Sequence, residues 1–88
     1  MYKRQNPFRQ ITTISFSVPE TERVRLAVYD VAGRLVRTLI EGERMSAGFH
    51  ERTWNGLGEG GRLAAPGVYY YRLESANRAA TRKMLLIR

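Results

Sequence analysis

The chain has no cysteine among its 88 residues, so neither a disulfide framework nor a thiolate metal site is available, and stability rests on packing alone. Its single histidine, His50, excludes a His-rich metal centre. A nucleophile–histidine–acid triad would need a hydroxyl such as Ser46 or Ser75 brought to it, and a lone imidazole on a strand reads as a hydrogen-bonding residue rather than a base. No apolar run approaches the roughly 18 residues that a membrane-spanning helix requires, and no charged-then-apolar leader opens the sequence. Lysine is scarce: 13 of the 15 basic side chains are arginine. A chain this short accommodates one domain and one core.

The formal charge is +7. Met1-Tyr2-Lys3-Arg4-Gln5 carries no strand pattern and matches the in-frame translation of a common sequencing-library adapter. The expectation is therefore that the natural sequence begins near Asn6, as the tail of a longer protein whose signal peptide lies upstream. Without Lys3 and Arg4 the basic count falls to 13 and the excess to +5. That excess is diffuse, which indicates a solvated surface and not a nucleic-acid interface.

What the chain does contain is short alternating strands and turn residues. Asn6-Pro7-Phe8 is a turn-forming entry, because proline biases its predecessor away from helix. From Thr12 to Val18, Ile14, Phe16 and Val18 alternate with Thr13, Ser15 and Ser17, the period of a half-buried strand. From Arg23 to Asp30, Val24, Leu26 and Val28 share one face, and Arg23, Arg25, Ala27 and Tyr29 the other. Asp30-Val31-Ala32-Gly33 is a turn. Arg34 to Glu41 reads as a strand, although Leu35, Val36, Leu39 and Ile40 also satisfy a short helical stripe.

Loop residues separate it from a strand at Phe49 to Trp54, where His50, Arg52 and Trp54 face one way. Arg52 fits there only if its stem packs and its guanidinium reaches the rim. Asn55 to Pro66 is a Gly-rich loop and Gly67 to Glu74 an aromatic strand. Ser75-Ala76-Asn77-Arg78 is a hairpin turn into a last strand, Ala80 to Ile87. Six or seven short strands with turns every 8–12 residues predict an all-β antiparallel β-sandwich of about seven strands spanning residues 6–88. Its core signature is Phe16, Val28, Trp54, Tyr69, Tyr71 and Leu73; Trp54, Tyr69 and Tyr71 would each bury on the order of 150–250 Å².

Candidate chemistry is sparse. Gly56-Leu57-Gly58-Glu59-Gly60-Gly61 matches the dinucleotide fingerprint G-x-G-x-x-G, but that motif must open a helix, and Pro66-Gly67 stop the chain within five residues of Gly61. A flexible connection between sheets is the expectation. Asp30, Asn55 and Glu59 could offer oxygens to calcium but lack the spacing that concentrates ligands in one loop. Strand alternation sends Tyr69, Tyr71 and Leu73 to one side and Val68, Tyr70 and Arg72 to the other. Only Tyr70, with Tyr29, remains for an exposed stacking surface. The chain reads as non-catalytic, without a cofactor.

Taken in order, several segments resemble the immunoglobulin-like C-terminal modules of the FlgD-like group, especially the type A sorting domains of the bacterial type IX secretion system. They are Asn6-Pro7-Phe8, Thr12 to Pro19, Val28-Tyr29-Asp30-Val31-Ala32-Gly33-Arg34, Ala47-Gly48 with His50, Trp54-Asn55-Gly56, Pro66 to Leu73 and Thr81 to Arg88. The chain departs from that pattern in Arg9-Gln10, where the group usually repeats Asn-Pro, in Arg52, where an apolar residue is common, and in Asn55, which replaces an Asp.

The resemblance implies a non-catalytic module of a larger exported protein, secreted or held at the cell surface. Its partners would be the upstream domains and an outer-membrane translocon. The candidate recognition strand is Lys83, Met84, Leu85, Leu86, Ile87 and Arg88, since main-chain pairing along an edge gives affinity and alternate side chains give selection. Two alternatives stand beside sorting. One is a structural or adhesion spacer, as in flagellar hook-capping proteins; the other is binding of nucleic acid or anionic glycan through the arginines, marked by steep salt dependence.

Overall fold

Glycine, proline and short polar turns cut the chain into segments too brief for helices, and β-branched and aromatic residues at period two fill those segments. The result, a computed structural model that describes residues 11–87, is six strands and one 3₁₀ turn. Met1–Gln5, the Asn6-Pro7-Phe8 entry, Arg9-Gln10 and Arg88 lie outside the described residues. The strands are β1 (Thr12–Val18), β2 (Glu22–Tyr29), β3 (Leu35–Met45), β4 (Gly48–Trp54), β5 (Gly67–Glu74) and β6 (Ala79–Leu86). They form two antiparallel sheets, β1-β4 and β3-β2-β5-β6. The all-β sandwich expected from the sequence is present, with six strands among the described residues where about seven were expected.

The inner faces meet in one core. Ile14, Phe16 and Val18 of β1 and Trp54 of β4 pack with Val24, Leu26 and Val28 of β2, Ile40 and Met45 of β3, Tyr69 of β5 and Leu86 of β6. Trp54 and Tyr69 are 1% and 7% exposed, with ring centroids 5.2 Å apart at 67°, an edge-to-face pair. Each buried polar tip finds a carbonyl. The Trp54 indole donates to Leu57 O at 2.9 Å and the Tyr69 hydroxyl to Ala65 O at 2.5 Å.

Tyr71 and Leu73, expected in the core with them, are only partly buried and pack against its edge. The reason is width. A two-stranded sheet cannot cover a four-stranded one, so a hollow of about 420 Å³ lined by Phe16, Phe49, Tyr71, Leu73 and Arg82 opens between the sheets.

β3 is longer than expected, running on to Met45 across residues read as loop. Against the 8 residues of β2 it places 11, and the register shifts three times, between Val24/Arg25, Leu26/Ala27 and Val28/Tyr29. The extra residues are Gly42, Leu39 and Val36. Gly42 has φ 67°, the left-handed conformation that a bulge asks of glycine. These bulges account for the helix-like spacing of Leu35, Val36, Leu39 and Ile40, because each insertion slips the alternation by one. Leu39 and Val36 pack against the core as a result.

The Gly-rich segment is pinned, contrary to the flexible connection expected. Leu57 and Leu63 form a bridge, Gly58 N donates to Arg62 O at 2.7 Å and Ala64 N to Gly56 O at 2.9 Å. It contains a 3₁₀ turn over Glu59–Gly61. Glu59 fastens the loop to β3 by accepting from Thr38 N at 2.8 Å, and Arg37 donates to Gly58 O at 3.2 Å.

Candidate interaction surface

The polar residues that could have carried chemistry are occupied with structure. His50 stacks on Phe16, its cross-strand partner, at 5.7 Å. Its Nε2 lies 2.7 Å from Ser46 O, and because a carbonyl only accepts, that nitrogen carries the proton. Arg52 reaches the rim as its position demands, donating to Glu51 O at 2.9 Å and pairing with Glu43 at 3.2 Å.

The three oxygen-bearing residues considered for calcium each bind backbone. The Asp30 carboxylate accepts from Ala32 N and Arg34 N, both at 2.9 Å, and pairs with the Arg34 guanidinium at 3.1 Å. The hydrogen bond from the Arg34 amide is the chief cause that holds this carboxyl below its ordinary range. Desolvation opposes it, and the Ala32 amide and the Arg34 charge add to the lowering. Asn55 accepts from Leu57 N at 3.1 Å, and Glu59 is committed to Thr38. No group of three or more His, Cys, Asp or Glu side chains gathers among the described residues.

What remains is surface. Among the described residues, β6 is the last strand of the four-stranded sheet and pairs with β5 on one side only, which leaves a row of main-chain groups along its other edge. The structure divides the candidate recognition residues by strand parity. Leu86 is 1% exposed and part of the core, and Met84 packs against that core. Leu86 therefore cannot be read from outside, and Met84 is only partly exposed. Lys83, Leu85 and Ile87 are exposed, the last two at 58% and 59%, while Arg88 lies outside the described residues.

The outer face of the same sheet carries a second arrangement that strand order alone could not disclose. Register places Tyr29 opposite Tyr70 and Tyr70 opposite Lys83, a row crossing β2, β5 and β6. The adjacent row holds Ala27, Arg72 and Thr81. Arg25 donates to the Tyr29 hydroxyl at 2.9 Å and to Glu74 at 3.3 Å, and Arg72 Nε donates to Glu74 at 2.9 Å. The bond from Arg72 chiefly holds the Glu74 carboxyl below its usual range; desolvation opposes it, and the Arg72 charge and the pairing with Arg25 add to the lowering.

A family model described as FlgD Ig-like domain matches residues 6–79. The chain belongs to the FlgD Ig-like domain family. Among solved structures, that of FlgD from P. aeruginosa superposes with a TM-score of 0.71 at 22% identity, an agreement of fold. The match covers 88% of this chain and 61% of that one. Comparison with curated proteins finds no match. The FlgD Ig-like match ends at Ala79, the first residue of β6, so the candidate recognition residues stand beyond it. No helix among the described residues is long and apolar enough to cross a membrane.

Proposed function

We propose that the chain is a non-catalytic structural module of a larger exported protein, a FlgD-like immunoglobulin domain that spaces and supports neighbouring domains. The observation that carries this reading is the FlgD Ig-like match over residues 6–79. The disposition of the polar groups supports it, since His50, Asp30, Asn55 and Glu59 are each spent on holding turns and loops. Its partners are then the flanking domains of the parent protein, and its place is the exterior of the cell or its surface.

A second reading, a sorting signal for an outer-membrane translocon of the type IX kind, draws support from β6. That strand is an edge, and Lys83, Leu85 and Ile87 are available along it as alternate side chains. One experiment separates the two. Residues 6–88 are fused to a periplasmic reporter in a type IX-competent host, and the reporter is located by fractionation. Retention in the periplasm is expected of a structural module; delivery to the surface, abolished by Lys83→Glu together with Leu85→Asp, would overturn it in favour of sorting.

A further inference from the structure

We propose that the outer face of the β3-β2-β5-β6 sheet binds an acidic polysaccharide, with Tyr29 and Tyr70 as the stacking platform, Arg72 and Thr81 as hydroxyl partners and Lys83 as the carboxylate contact. The basis is a hollow of about 590 Å³ on that face, lined by Tyr29, Asp30, Val31, Tyr70, Arg72 and Thr81. Directly opposed residues of antiparallel strands point to the same face, so register sets the Tyr29 and Tyr70 side chains on one face with Lys83 next in line. Both rings are partly exposed, and neither contributes to the core cluster. Tyr29 is held in place by the Arg25 guanidinium, which limits the ordering cost of binding. Exposed Val31, Val68 and Leu85, at 72%, 38% and 58%, extend the apolar floor beyond the rings.

The chemistry of the face selects a sugar. Phenol rings offer electron-rich faces to the C–H side of a pyranose. Donors and acceptors alternate around them: the free guanidinium nitrogens of Arg72, the Thr81 and Tyr70 hydroxyls and the Glu74 carboxylate. Such a mixture suits hydroxyl groups, each of which donates and accepts. The charges select an acidic sugar with its carboxylates spaced apart. Asp30 is neutralised by Arg34 and Glu74 by Arg72 and Arg25, whereas Lys83 has no acidic partner among the described residues. A nucleic-acid strand fits less well, because it carries a phosphate for every nucleotide, whereas the guanidinium groups of Arg34, Arg72 and Arg25 are already paired with Asp30 and Glu74.

The test is affinity electrophoresis and calorimetry of the 88-residue chain with hyaluronan, which carries one carboxylate for every two sugars. Laminarin serves as the neutral glycan and oligo(dT) as the nucleic acid. Retardation by hyaluronan is expected, with weaker retardation by laminarin. Tyr70→Ala and Lys83→Ala should each weaken hyaluronan binding at least fivefold, and Arg52→Ala, on β4 of the two-stranded sheet, should leave it unchanged. Circular dichroism of each variant establishes that it is folded, and Lys83→Ala, at an exposed position, keeps the test intact if Tyr70→Ala is not. Absence of hyaluronan binding, equal affinity in the folded variants, equal binding of laminarin, or tighter binding of oligo(dT) would each overturn the proposal.

Discussion

Tyr69 and Tyr70 are chain neighbours of identical chemistry with opposite surroundings. Tyr69 points between the sheets, 7% exposed, edge-on to Trp54 with its hydroxyl on Ala65 O. Tyr70 points outward into a row with Tyr29 and Lys83, partly exposed and outside the core cluster. The pleat alone makes the difference. One face of β5 therefore serves stability and the other is free for recognition, so substitutions on the two faces should separate those properties.

The largest effect is expected from Trp54→Ala. Removing the most buried aromatic should cost about 3–5 kcal/mol, enough to leave a domain of this size largely unfolded, as judged by the loss of cooperative thermal unfolding. Tyr69→Phe keeps the ring and deletes one hydrogen bond, so denaturant melts should show a loss of about 1 kcal/mol. Tyr70→Ala removes as large a side chain as Tyr69→Ala would, yet should cost less than about 1 kcal/mol because it vacates no core space. Equal costs for Tyr69→Ala and Tyr70→Ala would break the comparison.

Asp30→Asn should have the smallest effect at neutral pH, since the amide oxygen can still accept from Ala32 and Arg34. Its signature lies in acid. The folded state holds the Asp30 carboxyl below its ordinary value of 3.8, so its contribution is present above that value and lost as pH falls through the lower, folded one. Glu74, also lowered, acts in the same direction. The melting temperature of the native chain should fall below about pH 4, less steeply in Asp30→Asn; identical acid limbs would show that the turn carboxylate is not coupled to folding.

Much of the sandwich was legible because its strands obey period two and its turns carry Asp, Asn, Gly and Pro. Thr12–Val18 was read to the residue, and Trp54 and Tyr69 are buried as the alternation required. β3 was harder, since three inserted residues destroy the alternation by which a strand is recognised, and its second half resembles a loop. The Asn55–Pro66 segment looked mobile because glycine spacing says nothing of Glu59 reaching Thr38, a contact between residues 21 positions apart. Tyr71 fell short of full burial for a reason no single strand contains, the unequal width of the two sheets. The Tyr29–Tyr70–Lys83 row escaped sequence reasoning for the same cause. Parity predicts which way a residue points, but only register says what it stands beside.

The two borders of the four-stranded sheet differ in a way that governs encounters between molecules. Three irregularities distort the β3 border, whereas the β5-β6 ladder runs in register from Gly67↔Leu86 to Glu74↔Ala79. Among the described residues of that sheet, only the β6 border offers a regular template to an incoming chain. Arg82 and Lys83 sit in the middle of it, so two identical copies aligned about a dyad would bring cation against cation. In dilute buffer the molecules should repel one another along this border, and added electrolyte should let them couple, as pairs and not as fibres.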